Sequence, residues 1–223
     1  MPSDSTISAL LSNCGEFKAS CQEPPPNNLT LPSSPLEATP LPFRRFLGGE
    51  LKEGAFAFVW QDGSSVNFLG VMQDSDVFSN AAPENDRTWE KGDVFEVFIQ
   101  PAGGKVYYEI HAAANGAKLE LRISSIEDFR HSVKNHCSDY TARLFKSGAQ
   151  IETKLLAGIG WAGFVSIPLK GAILDGSCSG SKFLVSRYNY NRPDGPKPEL
   201  SAVVEISREV KSYHCPELWI PIS

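Results

Sequence analysis

Between Thr88 and Ile99 the chain reads Thr-Trp-Glu-Lys-Gly-Asp-Val-Phe-Glu-Val-Phe-Ile. A tryptophan in a polar turn, Trp89, precedes an apolar run that carries one carboxylate, Glu96. An indole offers a flat face that can cover the C–H side of a pyranose, and a carboxylate fixed on a strand accepts hydrogen bonds from hydroxyl groups. The pair is suited to holding a sugar ring. Period-two alternation enlarges the set. Val94, Glu96 and Phe98 share one side of their run, Tyr107, Glu109 and His111 share a side of Val106–His111, and Phe183, Val185, Arg187 and Asn189 share a side of Lys182–Tyr190. If those sides converge, they form a partly apolar floor with a few directed polar groups, the usual make-up of a small-ligand site. A plainer reading makes Glu96 and Arg187 a buried ion pair joining two sheets, because buried charges must be paired whatever else they do.

Three other chemistries compete. Glu96 and Glu109, on adjacent strands, are candidates for the carboxylate pair of a glycoside hydrolase, which would require separations of about 5–5.5 Å or about 6.5–9.5 Å. Asp74-Ser75-Asp76, near Asn80, Asn85 and Asp86, makes an oxygen-rich loop that suits a structural calcium ion, with Asp74 and Asp76 as ligands, although the spacing is not that of an EF-hand. Met72 with one of the histidines would be needed to ligate haem. No motif requires a cofactor, and there is no Gly-x-Ser-x-Gly elbow, His-Glu-x-x-His, P-loop or Gly-rich dinucleotide turn. The pairs His136-Cys137 and His214-Cys215 read as chance neighbours in turns, since no two-residue cysteine spacing supports a zinc site.

The elements that must carry these residues are short. Alternating runs predict strands at Ala55–Trp60, Val66–Met72, Val94–Ile99, Val106–His111, Lys118–Ile123, Tyr140–Phe145, Gln150–Leu155, Gly163–Ile167, Lys182–Tyr190, Ala202–Ile206 and Leu218–Ile222. In Lys118–Ile123 the expectation is Leu119, Leu121 and Ile123 inward and Lys118, Glu120 and Arg122 in water. Asn115-Gly116 is the strongest hairpin signal. Only Ser125 to Asn135 reads as helical, with Ser125 as N-cap. The fold class is therefore all-β, an antiparallel two-sheet β-sandwich. Residues 1–34 read as a Pro-rich N-terminal extension without regular structure, mobile at its start, and 35–223 as a single domain. Trp60, Trp161 and Trp219 read as packing residues, and Tyr213-His214-Cys215-Pro216 as a second aromatic turn.

Composition narrows the function. The 223 residues carry a formal charge of −5, which argues against a nucleic-acid surface, and no apolar run approaches the length of a membrane span. Met1 to Cys21 lacks the basic and apolar regions of a signal peptide. Five cysteines, Cys14, Cys21, Cys137, Cys178 and Cys215, are an odd number at wide spacing and favour free thiols.

The block from Trp89 to Ile99 resembles the signature of family 9 carbohydrate-binding modules, in the DOMON-like superfamily. Asp74-Ser75-Asp76-Val77-Phe78, Tyr107-Tyr108-Glu109-Ile110-His111 with Asn115-Gly116, and Tyr213-His214-Cys215-Pro216-Glu217-Leu218-Trp219 follow in the family's order, so that the resemblance spans Pro35 to Ser223. It implies a non-catalytic β-sandwich module that holds a mono- or oligosaccharide between two loop aromatics, Trp89 and Tyr213, above polar contacts from Glu96, Arg187, Asn189 and, more loosely, Glu109. It also implies a link to polysaccharide breakdown beside a partner glycoside hydrolase, an extracellular or periplasmic setting, and a structural calcium ion. The chain departs from the pattern in having Tyr213 where tryptophan is frequent and Arg187 where an amide is common.

Overall fold

The computed structural model describes residues 1–14, 17, 24–135, 139–207 and 209–223. Two antiparallel sheets face each other, as the alternating runs predict. The first has the order β1 (Leu41–Pro42), β3 (Ala55–Gln61), β4 (Ser65–Gln73), β9 (Gly160–Pro168), β8 (Gln150–Leu156). The second has the order β2 (Arg44–Arg45), β11 (Glu199–Ala202), β10 (Lys182–Asn189), β5 (Val94–Gln100), β6 (Tyr107–Ala113), β7 (Lys118–Ile123), with β12 (Ile220–Pro221) pairing the start of β10. Asn115-Gly116 forms the β6–β7 turn, where Gly116 takes φ 84° and Ala117 N–H donates to the Asn115 side chain.

The register of β5 is held from the core side by one close approach. Gly70 of β4 and Gly163 of β9 are direct partners, and the Phe95 side chain lies over both. A Cβ at Gly70 would come within 2.4 Å of the Phe95 ring, and one at Gly163 within 2.8 Å of its Cβ. Phe95, Val97 and Ile99 thereby face the first sheet. Because side chains alternate, Val94, Glu96 and Phe98 are sent to the opposite side.

Several segments differ from the sequence expectation. Asp4–Ser12 is a helix, α1, with Ser3 as N-cap. Its Ile7 and Leu10 are buried with Phe56, Phe58, Trp60 and Leu69, covering the outer side of the first sheet. Further along, Leu29 is bridged to Ile222, the Gln61 N–H donates to the Pro32 carbonyl, and Pro35–Glu37 forms a 3-10 turn. Tyr140–Phe145 is not a strand. Its first four residues form a 3-10 turn capped by the Asp139 carboxylate. β11 lies earlier than the Ala202–Ile206 run suggests. In β7, Glu120 is buried rather than solvated, bonded to Ser147 and paired with Lys118 at 3.0 Å. Ser125 caps α2 (Ile126–Lys134) as expected. Cys14, Cys178 and Cys215 are free and buried, whereas Cys21, His136 and Cys137 lie outside the described residues. Among the described residues no helix is long and apolar enough to cross a membrane.

The Gly70–Phe95 approach gives a direct test. Gly70→Ala is expected to lower stability by about 1–3 kcal/mol through overpacking, whereas Gly63→Ala, with open space around its Cβ, is expected to be near neutral. Urea midpoints of the two variants check this, and equal midpoints would remove Phe95 as the register lock.

Candidate functional site

The outer side of the second sheet carries the site. Register places Glu96 opposite His111 on β6 and opposite Ser186 on β10, and Phe98 opposite Glu109. Glu96, Glu109 and His111 are all buried. His111 Nε2 lies 2.6 Å from Glu109 Oε1 and 3.4 Å from Glu96 Oε1, and Ser186 donates to Glu96 Oε2 at 2.5 Å. His111 Nδ1 meets Thr88 Oγ1 at 2.6 Å. Beyond Glu109, His214 Nε2 stands 3.7 Å from Oε2, and its Nδ1 pairs with the Tyr107 hydroxyl at 2.8 Å. Two carboxylates thus share one imidazole, with a second imidazole at the far side.

The titration of these groups follows from burial and mutual charge. Burial, then the charge of Glu109, pushes Glu96 up to about 7, against the opposing pull of His111 and Ser186. Burial also works against ionised Glu109, but His214 and His111 outweigh it and hold that carboxyl below its usual range. Burial depresses His111, and Glu96 with Glu109 more than restore it, so its pKa is raised. His214 is brought down to about 4, chiefly by burial. At neutral pH Glu109 is an anion, His214 is neutral, and Glu96 lies close to its midpoint.

A cavity of about 480 Å3 opens above this floor, lined by Glu96, Phe98, Glu109, Leu121, Ile123 and Tyr188 below and by Trp89, Tyr140, Phe129, Arg143, Lys211 and His214 around it. Local structure fixes the Trp89 loop tightly. Trp89 sits in a 3-10 turn, Thr88–Glu90. The following Gly92 has φ 146°, and a Cβ there would lie 2.4 Å from the Phe78 carbonyl. Asp93 is fully buried and accepts from Phe78 N–H and Tyr190 N–H, each at 2.7 Å, tying three segments to one carboxylate. The Tyr190 hydroxyl donates to the Trp89 carbonyl at 2.7 Å. The half-buried indole stands edge-on to His111 and to Tyr140, each at 5.8 Å between ring centres. At the other end, Phe129 of α2 stacks on His214 at 3.6 Å.

The structure divides the residues expected at the site. Trp89, Glu96, Glu109 and Tyr213 all line the cavity. Tyr213 is not an open clamp ring, however. It is buried, its hydroxyl donates to the Ser201 carbonyl at 3.1 Å, and its own carbonyl takes the Trp219 indole N–H at 3.0 Å. Tyr140 and the Phe129–His214 stack supply the aromatic rim instead. Arg187 and Asn189 point the other way, between the sheets, because Arg187 pairs with Phe95 and not with Glu96. Arg187 Nη2 donates to Asn189 at 2.6 Å and to the Gln73 carbonyl at 2.6 Å and lies 3.5 Å from Asp74, so no Glu96–Arg187 ion pair exists.

The oxygen-rich loop does not fit calcium. Asp74 faces the Arg187 guanidinium and Asp76 that of Arg192, which holds Asp76 down at about 2. Met72 lies fully buried in the core between the sheets, separated by the second sheet from His111 on its outer side, so the two are not placed to ligate one haem. Glu96 and Glu109 both address the same imidazole nitrogen, His111 Nε2.

Glu96 supplies a pH test. Its folded pKa, about 7, exceeds the usual 4.5, so the folded chain keeps a proton that the unfolded chain releases. That contribution is complete below about pH 4.5 and is lost as pH rises through 7. Glu96→Gln removes the loss, so the stability of the variant relative to the parent is expected to improve between pH 5 and pH 8, by about 1 kcal/mol or more. Urea unfolding at both pH values checks it, and a pH-independent difference would contradict the assigned ionisation.

Comparison with known proteins bears on the architecture. Neither protein-family models nor curated protein sequences match the chain. Among solved structures, a family 9 carbohydrate-binding module of Caldicellulosiruptor kristjanssonii in complex with cellotriose superposes with a TM-score of 0.58 at 12% identity, covering 90% of this chain and 89% of that one. The same kind of module in complex with glucose gives 0.57 at 12% identity, covering 90% and 94%. A candidate carbohydrate-binding protein of Bacteroides uniformis gives 0.56 at 18% identity, covering 81% and 85%. The chain therefore has the β-sandwich fold of a family 9 carbohydrate-binding module, as the resemblance of its Trp89–Ile99 block implies.

Proposed function

We propose that the protein is a non-catalytic carbohydrate-binding module that takes a mono- or oligosaccharide into the cavity above Glu96 and Glu109. The observation that carries this reading is the half-buried Trp89 ring beside two buried carboxylates on the wall of one cavity. Its volume, about 480 Å3, falls in the range of roughly 300–1,000 Å3 typical of small-ligand sites. Trp89 stands at the His111 end of β6 and His214 at the Tyr107 end. A sugar ring in the cavity would lie between Trp89 and the Phe129–His214 stack, above the floor that holds Glu96 and Glu109. Trp89 or the Phe129–His214 stack would cover its C–H face, and the free lone pairs of Glu96 and Glu109 would accept from its hydroxyls.

The fold neighbours that hold cellotriose and glucose support this reading. The convergence of both glutamates on His111 favours binding over hydrolysis. In this role the module would serve a polysaccharide-degrading enzyme by keeping it on its substrate.

The indole itself reports binding. Trp60, Trp161 and Trp219 are buried, so a sugar-induced change in tryptophan fluorescence is expected to come from Trp89. Trp89→Ala is expected to abolish that change and to weaken binding tenfold or more, about 1.4 kcal/mol, with an unaltered circular dichroism spectrum. Absence of binding across a broad glycan panel, or full affinity in the variant, would end the proposal.

A further inference from the structure

The charges around the cavity name a class of sugar. Three cationic side chains line it: Arg87, Arg143 and Lys211. Arg87 is paired with Glu90 at 3.3 Å and lies over the Tyr140 ring. Arg143 and Lys211 make no ion pair among the described residues. Arg143 gives one N–H to the Ser132 hydroxyl and rests its guanidinium 5.1 Å from the centre of the Phe129 ring. The remaining donors of that planar fork have no protein acceptor among the described residues. Lys211 adopts φ 50°, a backbone conformation that costs a non-glycine residue about 1–3 kcal/mol and that recurs at ligand clamps.

The anions in the same cavity each have a nearer partner than Arg143 or Lys211. Glu109 faces His111 and His214, Glu96 faces His111 and Ser186, and Glu90 faces Arg87. On a chain with a formal charge of −5, the cavity therefore holds two cationic side chains, Arg143 and Lys211, with no carboxylate at salt-bridge distance among the described residues. A neutral sugar would leave them so.

Resting on the saccharide reading above, we infer that the preferred ligand is an anionic sugar residue, its carboxylate or sulfate held by Arg143 and Lys211 while its hydroxyls meet Glu96 and Glu109. A guanidinium fork matches a carboxylate or sulfate in a bidentate arrangement, which a neutral hydroxymethyl group does not reproduce.

The test measures dissociation constants of the full chain for glucuronic acid, galacturonic acid and glucose 6-sulfate against glucose and galactose, by Trp89 fluorescence at low and high salt. At least one acidic sugar is expected to bind tenfold or more tightly than its neutral parent, with the gap narrowing as salt is raised. Arg143→Gln and Lys211→Gln are each expected to collapse the ratio of acidic to neutral affinity toward one. The uronic acids and the sulfate ester tell which anion is read. Neutral sugars binding as well as acidic ones would overturn this inference and leave the saccharide site standing. A preference that survives both substitutions would overturn the assignment to Arg143 and Lys211. Failure of every sugar would remove the site itself. Lys211 is exposed on a loop, so its variant remains informative should Arg143→Gln fail to fold.

Discussion

Burying Glu96, Glu109 and His111 on one side of a sheet is the constraint around which the rest is arranged. An unpaired buried carboxylate costs several kcal/mol, so each group must find a partner within the sheet or beside it. Glu96 finds His111 and Ser186, Glu109 finds His111, and the second nitrogen of His111 finds Thr88. These pairings are compatible with one register only. A slip of β5 by one residue would turn Glu96 toward the Gly70–Gly163 pair and put Phe95 into the cavity. The close approach on the core side and the ionic cluster on the cavity side therefore enforce the same alignment, one by shape and the other by charge.

The constraint extends from the floor to the rim through Thr88. Its hydroxyl belongs to the ionic cluster, and its neighbour is the one tryptophan that lines the cavity. Gly92 and the buried Asp93 hold the far side of the same turn against Phe78 and Tyr190. The indole is thus placed by groups that are satisfied before any ligand arrives. A ring already in position loses little freedom on binding, which is how a small contact area yields useful affinity.

Much of this was legible in the sequence, and the failures have physical reasons. Alternation, with short apolar runs, located most strands, β7 to the residue. It also grouped Arg187 with Asn189 and Glu109 with His111 correctly. It could not say which group shares a face with Glu96, because that depends on inter-strand register, and one residue of offset sends Arg187 to the opposite side of the sheet from Glu96. Tyr213 looked open because it lies in a turn, yet its burial depends on Ser201 and Trp219, partners that no local pattern reveals. Tyr140 was hidden in a six-residue run that alternates acceptably. The signal that could have found it is Asp139, a capping residue that announces a helical turn. The helix α1 was missed because the prolines that follow it dominate the composition of the whole segment.

In the proposed saccharide site, a floor of buried, partly answered carboxylates would select ligands more than strengthen their binding. Each hydroxyl that meets Glu96 or Glu109 gives up a bond to water, so the net gain per contact is about 1–3 kcal/mol even with a charged acceptor. A sugar whose hydroxyl falls elsewhere, however, seals a carboxylate away from water without a donor, and the penalty is of the same size with the opposite sign. Discrimination between epimers can therefore exceed the contribution of any one hydrogen bond to affinity. In that proposed site the attractive energy would come largely from surfaces indifferent to hydroxyl position: the Trp89 face and the Phe129–His214 stack. In such a division the aromatic rim would hold whatever ring enters, and the ionic floor would decide which ring stays.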